Sequence, residues 1–175
     1  MDKQELKILQ ILDAIIRQES VRAVIDSLIL RVERTLSQDV LLSLSWEPVP
    51  LATYGEIPIV IHSSWVFAIP AQAKTGAERH PNSHQRMMSY KGSGDLLIWT
   101  GEKWHSNHLM SNLNARIENR WISILPNTWH QAVVTKENWV VISFHTVPED
   151  ELIEERPDAT NAGLIHQRTY LHARK

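Results

Sequence analysis

The sequence predicts an all-β domain, an antiparallel sandwich or barrel, preceded by two α-helices. Residues 3 to 36 carry apolar side chains at helical spacing, with Leu6, Leu9, Leu12 and Ile16 recurring every three or four positions. From about residue 40 the period changes: Pro48, Pro50 and Pro58 break any helix, and short β-rich runs follow. Turn residues separate those runs at regular intervals, the pattern of a many-stranded antiparallel fold.

The first helix opens on Asp2, with Glu5 three residues on, as in a capping box. Ile8, Ile11 and Ile15 widen its apolar stripe. A break is expected near Gln18–Ser20, with Ser20 as the second N-cap and Val21, Val24, Ile25, Leu28 and Val32 as the second stripe. Both faces are broad, so they need cover from the rest of the domain or from a second subunit. The expected strands are Ile57–Ile61, Trp65–Ile69, Gln85–Tyr90, Asp95–Trp99, Trp121–Leu125, Gln131–Val134 and Trp139–His145. Turns punctuate them at Lys74-Thr75-Gly76, Pro81-Asn82-Ser83, Gly92-Ser93-Gly94, Thr100-Gly101-Glu102, Pro126-Asn127 and Lys136-Glu137-Asn138. Pro148 ends the strand region. Pro148–Pro157 holds five acids against one Arg and reads as a solvated segment, and the last eighteen residues as a mobile or partner-packed tail. The organisation is thus a helical extension over 1–38, a β-barrel over 40–148 and an acidic segment with tail over 149–175.

Composition narrows the function. The net charge is −2, which gives no reason to expect a nucleic-acid or anionic-membrane partner. There are no cysteines, so disulfides, thiolate metal sites and cysteine nucleophiles are excluded, and any metal must use His, Asp, Glu or amide oxygen. The opening MDKQELKILQ is charged throughout, unlike a secretory signal, and no apolar run approaches the roughly 20 residues of a spanning helix. A cytoplasmic protein is expected. Nine histidines and seven tryptophans are the unusual part of the composition.

The chemistry concentrates in Glu78-Arg-His80-Pro-Asn-Ser-His84-Gln85 and Leu125-Pro-Asn-Thr-Trp-His130. In an extended strand, residues 78 and 80 share a face. A strand after the turn can aim Gln85 at the same point, and a neighbouring strand can add His130. Four donors then converge inside a barrel, where a small-ligand cavity is natural. His84 should face the other way, but a turn one residue longer would exchange it with Gln85, so His84 stands as a reserve ligand. Two histidines four apart beside a Pro turn are, by themselves, more often hydrogen-bonded surface residues than ligands.

Elsewhere the signals are weaker. His105 and His108 read as an exposed arm or a pocket rim. His145 shares parity with Trp139, Val141 and Ser143, and either lines the cavity or is a satisfied core histidine. Trp65, Trp99, Trp121, Trp129 and Trp139 fill the barrel or close its mouth. Tyr90 and Arg120 are candidates for polar ligand contacts, whereas Arg86 reads as a surface residue.

Over residues 57 to 147 the chain resembles the cupin superfamily. That family's first motif is a His, any residue, a second His, a short turn, and a Glu spaced ahead of a Gly; its second is a Pro-and-Gly turn leading to a third His. Counting back from Gly92 puts Gln85 at the Glu position, His80 at the second His and Glu78 at the first. Pro126-Asn127 stands at the Pro-and-Gly turn, and His130 takes the third His. The resemblance implies a jelly-roll barrel and a metal set of Glu78, His80, Gln85 and His130. One negative charge is kept, but permuted. It implies a divalent metal, either Zn, Fe, Mn, Ni or Cu, or none, since cupins without metal are common. With metal, the expectation is an oxygenase, isomerase or lyase acting on a small organic molecule, with Glu78 or Tyr90 moving protons. Without it, the expectation is a small-ligand-binding or sensory barrel. The replacements at 78 and 85 favour the second reading, and the retained His80 and His130 favour the first. A structural protein interacting through its helices is a third. Cupins often pair, so the broad helical faces fit a homodimer.

Overall fold

Two helices come first, and the rest of the chain is antiparallel sheet. The computed structural model describes residues 2–39, 41–158, 160–161 and 163–169. The helices are α1 (Lys3–Ile16) and α2 (Glu19–Gln38). The strands are β1 (Ser45–Pro48), β2 (Ser63–Ile69), β3 (Gln85–Lys91), β4 (Ser93–Trp99), β5 (Trp104–Met110), β6 (Trp121–Ile124), β7 (His130–Val133), β8 (Trp139–His145), β9 (Ile153–Pro157) and β10 (Ile165–Thr169). Among the described residues, no helix is long and apolar enough to cross a membrane.

One sheet has the order β1-β2-β8-β3-β6, and a second has β5-β4-β7. The second sheet is extended by the segment 74–79, which pairs with β7 at Lys74–Val133 and Glu78–His130 and with β9 at Arg79–Glu155. β9 pairs with β10 in turn. The two layers face each other as a jelly roll.

The five-stranded sheet separates two cores. On its outer face Val66, Ala68, Met88, Val140, Ile142 and Phe144 pack with Leu9, Leu12, Ile25 and Val32 of the helices. On its inner face Trp65, Phe67, Ile69, Met87 and Val141 pack with Leu96, Leu109 and Ala132 of the other sheet. Buried on both faces, β2 and β8 read as continuous apolar runs. The cover that the helical stripes require is thus supplied by the chain's own sheet.

Ionic contacts fix α1 on this sheet. Arg86 donates two hydrogen bonds of 2.8 Å to the Glu5 carboxylate. Asp13 accepts from Arg120 Nη2 and from Trp121 Nε1, each at 2.9 Å. Arg86, expected at the surface, is 3% exposed. It does face out of the barrel, but α1 lies over that face.

Several expectations change. Asp2 caps α1 by accepting from the Glu5 amide at 2.8 Å, but α2 begins at Glu19 behind Gln18, and Ser20 lies inside it. Ile57–Ile61 forms no strand; Pro58 places it in a turn leading to β2. Four strands lacked an apolar signature: short β1, polar β5 and the charged pair β9 and β10. The segment read as solvated is therefore partly core, since Leu152 and Glu154 are fully buried. Of the expected tail, residues 165–169 form β10, and 170–175 lie outside the described residues.

Candidate metal centre

Backbone pairing brings the site together. Glu78 and His130 exchange both backbone hydrogen bonds, at 2.9 and 2.8 Å, which makes them a directly opposed antiparallel pair with side chains on one face. His80, two residues from Glu78, joins that face. The turn before β7 holds Asn127 at φ 66°, a left-handed conformation that favours Gly or Asn. Its amide donates to the His80 carbonyl at 2.9 Å, tying the two donor segments together.

Each imidazole is oriented by a backbone carbonyl. His80 Nδ1 lies 2.9 Å from the Ile153 oxygen and His130 Nδ1 lies 3.0 Å from the Thr128 oxygen. A carbonyl only accepts, so both Nδ1 atoms carry the proton and both Nε2 atoms present a lone pair. Glu78 Oε1 lies 3.6 Å from His130 Nε2. One donor atom each from Glu78, His80 and His130 falls within 4.8 Å of the others. Donors sharing one metal at about 2.0–2.2 Å stand roughly 3.4 Å apart, so a small inward movement closes the set.

The opposite wall is built by Gln85 and His145, cross-strand partners on β3 and β8. The His145 ring meets His80 edge-on at 5.1 Å. Its two nitrogens lie 3.2 Å from Ser83 Oγ and 3.2 Å from Ser143 Oγ. Both ring nitrogens therefore have partners, as in a satisfied core histidine. Gln85 is 5% exposed and His130 3%, and Gln85 Oε1 and His130 Nε2 have no hydrogen-bond partner among the described residues. Both residues line, with Glu78, a cavity of about 40 Å³ whose other walls include Phe67, Met87 and Val141. Two unpartnered buried acceptors beside a carboxylate are the arrangement a cation would satisfy.

Burial governs the protonation states. It holds His80, His130 and His145 below the ordinary histidine value, well below for His145. Burial, aided by the neighbouring Glu154, raises the Glu78 carboxyl, while Arg156 and His130 pull it back. Neutral imidazoles are the form that binds metal.

The parity of β3 sorts the other candidates. Gln85, Met87 and Ser89 face the interior, while Arg86, Met88 and Tyr90 face the helices. His84 precedes Gln85 and goes outward: its Nε2 lies 2.6 Å from Ser123 Oγ and 3.8 Å from Glu5. The structure thus places the reserve ligand His84 away from the cluster. Tyr90 is also on the outside, donating to Asp26 of α2 at 2.8 Å, so it does not share the cavity lined by Glu78, Gln85 and His130. His108 contacts Asp95 on β4, and His105 is exposed on β5.

Two contributors escaped the sequence reading. Arg156 donates to Glu78 and, at 2.7 Å, to Glu154. Glu154 also accepts from Arg168 at 2.8 Å. Burial opposes ionisation of Glu154, but both guanidiniums outweigh it and hold the carboxyl below its ordinary value. The signal was the period-two alternation of Leu152, Glu154 and Arg156, hidden by five acids.

No family model matches the chain, and no curated protein matches it. Solved structures do. Oxalate oxidase in complex with the substrate analogue glycolate aligns at 14% identity over 60% of this chain and 51% of that one, with a TM-score of 0.46. A Klebsiella pneumoniae protein with a double-stranded β-helix domain aligns at 14% identity over 50% of this chain and 68% of its own, with a TM-score of 0.41. The coconut allergen cocosin aligns at 12% identity over 65% of this chain and 28% of its own, with a TM-score of 0.50. The chain spans about half the length of the oxalate oxidase and under a third of cocosin. At these identities the likeness is one of architecture alone: two facing antiparallel sheets forming a jelly-roll barrel behind two N-terminal helices.

Proposed function

We propose that Glu78, His80 and His130 hold a divalent metal inside the barrel, with Gln85 as an accessory oxygen donor, and that the protein acts there on a small organic molecule. The observation that carries this reading is His130 Nε2, a buried, unpartnered lone pair 3.6 Å from the Glu78 carboxylate. A set of nitrogen and oxygen donors without thiolate suits Zn, Fe, Mn, Ni or Cu. The metal would supply Lewis acidity and a template for a carbonyl or hydroxyl group, as oxygenase, isomerase and lyase chemistry requires. The chain's own residues do the rest. Glu78, with Oε2 held by Arg156, offers Oε1 to the metal and supplies the negative charge that offsets it. Phe67, Met87 and Val141 keep the cavity apolar and exclude bulk water. Its small volume limits the ligand to a few heavy atoms.

A second reading has a specific observation behind it. Arg156 already neutralises Glu78, and a neutral Gln85 stands where the family has Glu. The cluster is charge-balanced without a metal, which suits a barrel that binds a small ligand without chemistry. Metal analysis of protein purified without a histidine tag separates the two. A stoichiometric transition metal, absent from the His130→Ala variant, supports the metal site. Metal-free protein that takes up neither Zn²⁺ nor Mn²⁺ on titration moves the assignment to the ligand-binding barrel.

A further inference from the structure

We infer that the C-terminal ribbon of β9 and β10 aims the metal donors, and that Arg156 is the positioning residue for Glu78. The inference rests on the metal reading above. The barrel alone supplies the donors; the ribbon touches two of the three. The Ile153 carbonyl, at the start of β9, accepts from His80 Nδ1 at 2.9 Å and so directs His80 Nε2 inward. Arg156, three residues on, donates through Nη2 to Glu78 Oε2. With Oε2 occupied, Oε1 is the oxygen turned toward His130.

Arg156 is itself held by two further contacts. Its Nε donates to Glu154 at 2.7 Å and its Nη1 to the Thr75 carbonyl at 3.2 Å. Glu154 is fully buried and accepts from Arg168 of β10 at 2.8 Å. The donor segment is also clamped by its backbone: Arg79 and Glu155 exchange hydrogen bonds of 3.0 and 2.9 Å, and their side chains pair at 2.7 Å. Residues 78–80 therefore run between β7 and β9, and without the ribbon they would be paired on one side only.

The positive charge of Arg156 repels an incoming cation, but that repulsion is offset locally. Glu78, Glu154, Arg156 and Arg168 sum to zero; in Arg156→Gln the sum becomes −1, which by itself attracts a cation, so weaker binding by that variant cannot come from charge. What remains is its orienting effect. Partners that orient ligating carboxylates and imidazoles typically govern metal affinity by about 10–100-fold.

The test is calorimetric titration of Zn²⁺ into the full-length wild type, Arg156→Gln and Arg156→Lys, with folding checked by circular dichroism. Arg156→Gln is expected to bind Zn²⁺ about 10–100-fold more weakly. Arg156→Lys should fall between it and wild type, because a point charge lacks the planar fork. Co²⁺ at saturation should give an altered visible spectrum in Arg156→Gln, a change of ligand field that a purely structural role does not produce. Equal or tighter Zn²⁺ binding by folded Arg156→Gln overturns the inference and leaves the metal site standing. A wild type that binds no Zn²⁺ overturns both. Should Arg156→Gln fail to fold, Arg156→Lys decides: weaker binding supports the positioning role, and unchanged binding overturns it.

Discussion

Glu78 and His130 face each other as a hydrogen-bonded antiparallel pair, fifty-two residues apart in sequence, with carboxylate and imidazole 3.6 Å apart. The ladder sets this distance, so the site is as rigid as the sheet that carries it. The His130 side chain contributes one short-range hydrogen bond, from Nδ1 to the Thr128 carbonyl, and its Nε2 has no hydrogen-bond partner among the described residues. His130→Ala should therefore leave a folded protein and remove the metal response. In wild type, metal at 100 times its dissociation constant adds about 2.7 kcal/mol of stability. Thermal melting with and without Zn²⁺ should show an upward shift in wild type and none in His130→Ala; an equal shift in both would move the metal elsewhere.

Gln85 lies across the cavity with a buried, unpartnered Oε1. Changing it to Glu puts a second carboxylate beside Glu78. Without metal, burial and like charge both penalise it, so the metal-free protein should melt lower. With metal, the added negative charge should tighten binding. The two effects have opposite signs, and a melting series with and without Zn²⁺ reads both. A variant that melts like wild type in both conditions would show that Gln85 does not face the metal.

Tyr90→Phe separates the outside of the barrel from the inside. The hydroxyl donates to Asp26 on α2, and burial together with Asp26 pushes its pKa up to about 12. Losing that partly exposed bond should cost about 1 kcal/mol of stability. Zn²⁺ affinity should not change. Weaker Zn²⁺ binding with an unchanged melting temperature would place Tyr90 at the site.

The inner strands and the donor motif were legible because they obey a period. Trp65–Ile69, Gln85–Tyr90 and Trp139–His145 fall inside β2, β3 and β8, and the separation of Gln85 from His84 follows from strand alternation. Gly92 was legible as a turn, and its φ of 76° together with the nearby Asn138 carbonyl leaves no room for a Cβ. The ribbon was not legible, because its buried position is Glu154, paired with the half-buried Arg156. Charged residues enter a core only when paired, and pairing over long separations, such as Glu78 with Arg156, leaves no local pattern. Arg86 was misread for the same reason: its partner Glu5 is eighty-one residues away.

That long-range pairing predicts how the protein responds to acid. Glu5 and Asp13 are the ionic anchors of α1. Burial opposes their ionisation, but hydrogen bonds from Arg86 and Ser123 to Glu5, and from Arg120 and Trp121 to Asp13, outweigh it; both carboxyls lie below their ordinary values. A depressed carboxyl contributes stability that is fully present above its unfolded pKa, ~4, and that is lost as pH falls through the lower folded value. Stability should therefore hold down to about pH 4 and decline progressively below it as pH falls toward the folded values, with the contacts of α1 among the first lost. Trp121 reports this directly, because its indole N–H donates to Asp13. Its fluorescence should change in the same acid step in which α1 becomes sensitive to protease. Glu5→Ala leaves Arg86 buried with no carboxylate, a change that costs about 3–5 kcal/mol for a buried pair, and should bring protease sensitivity of α1 to neutral pH. The double variant Glu5→Ala with Arg86→Met removes the stranded charge and should recover part of that loss. Protease resistance of α1 in Glu5→Ala at neutral pH, with unchanged melting, would show that apolar packing alone holds the helix.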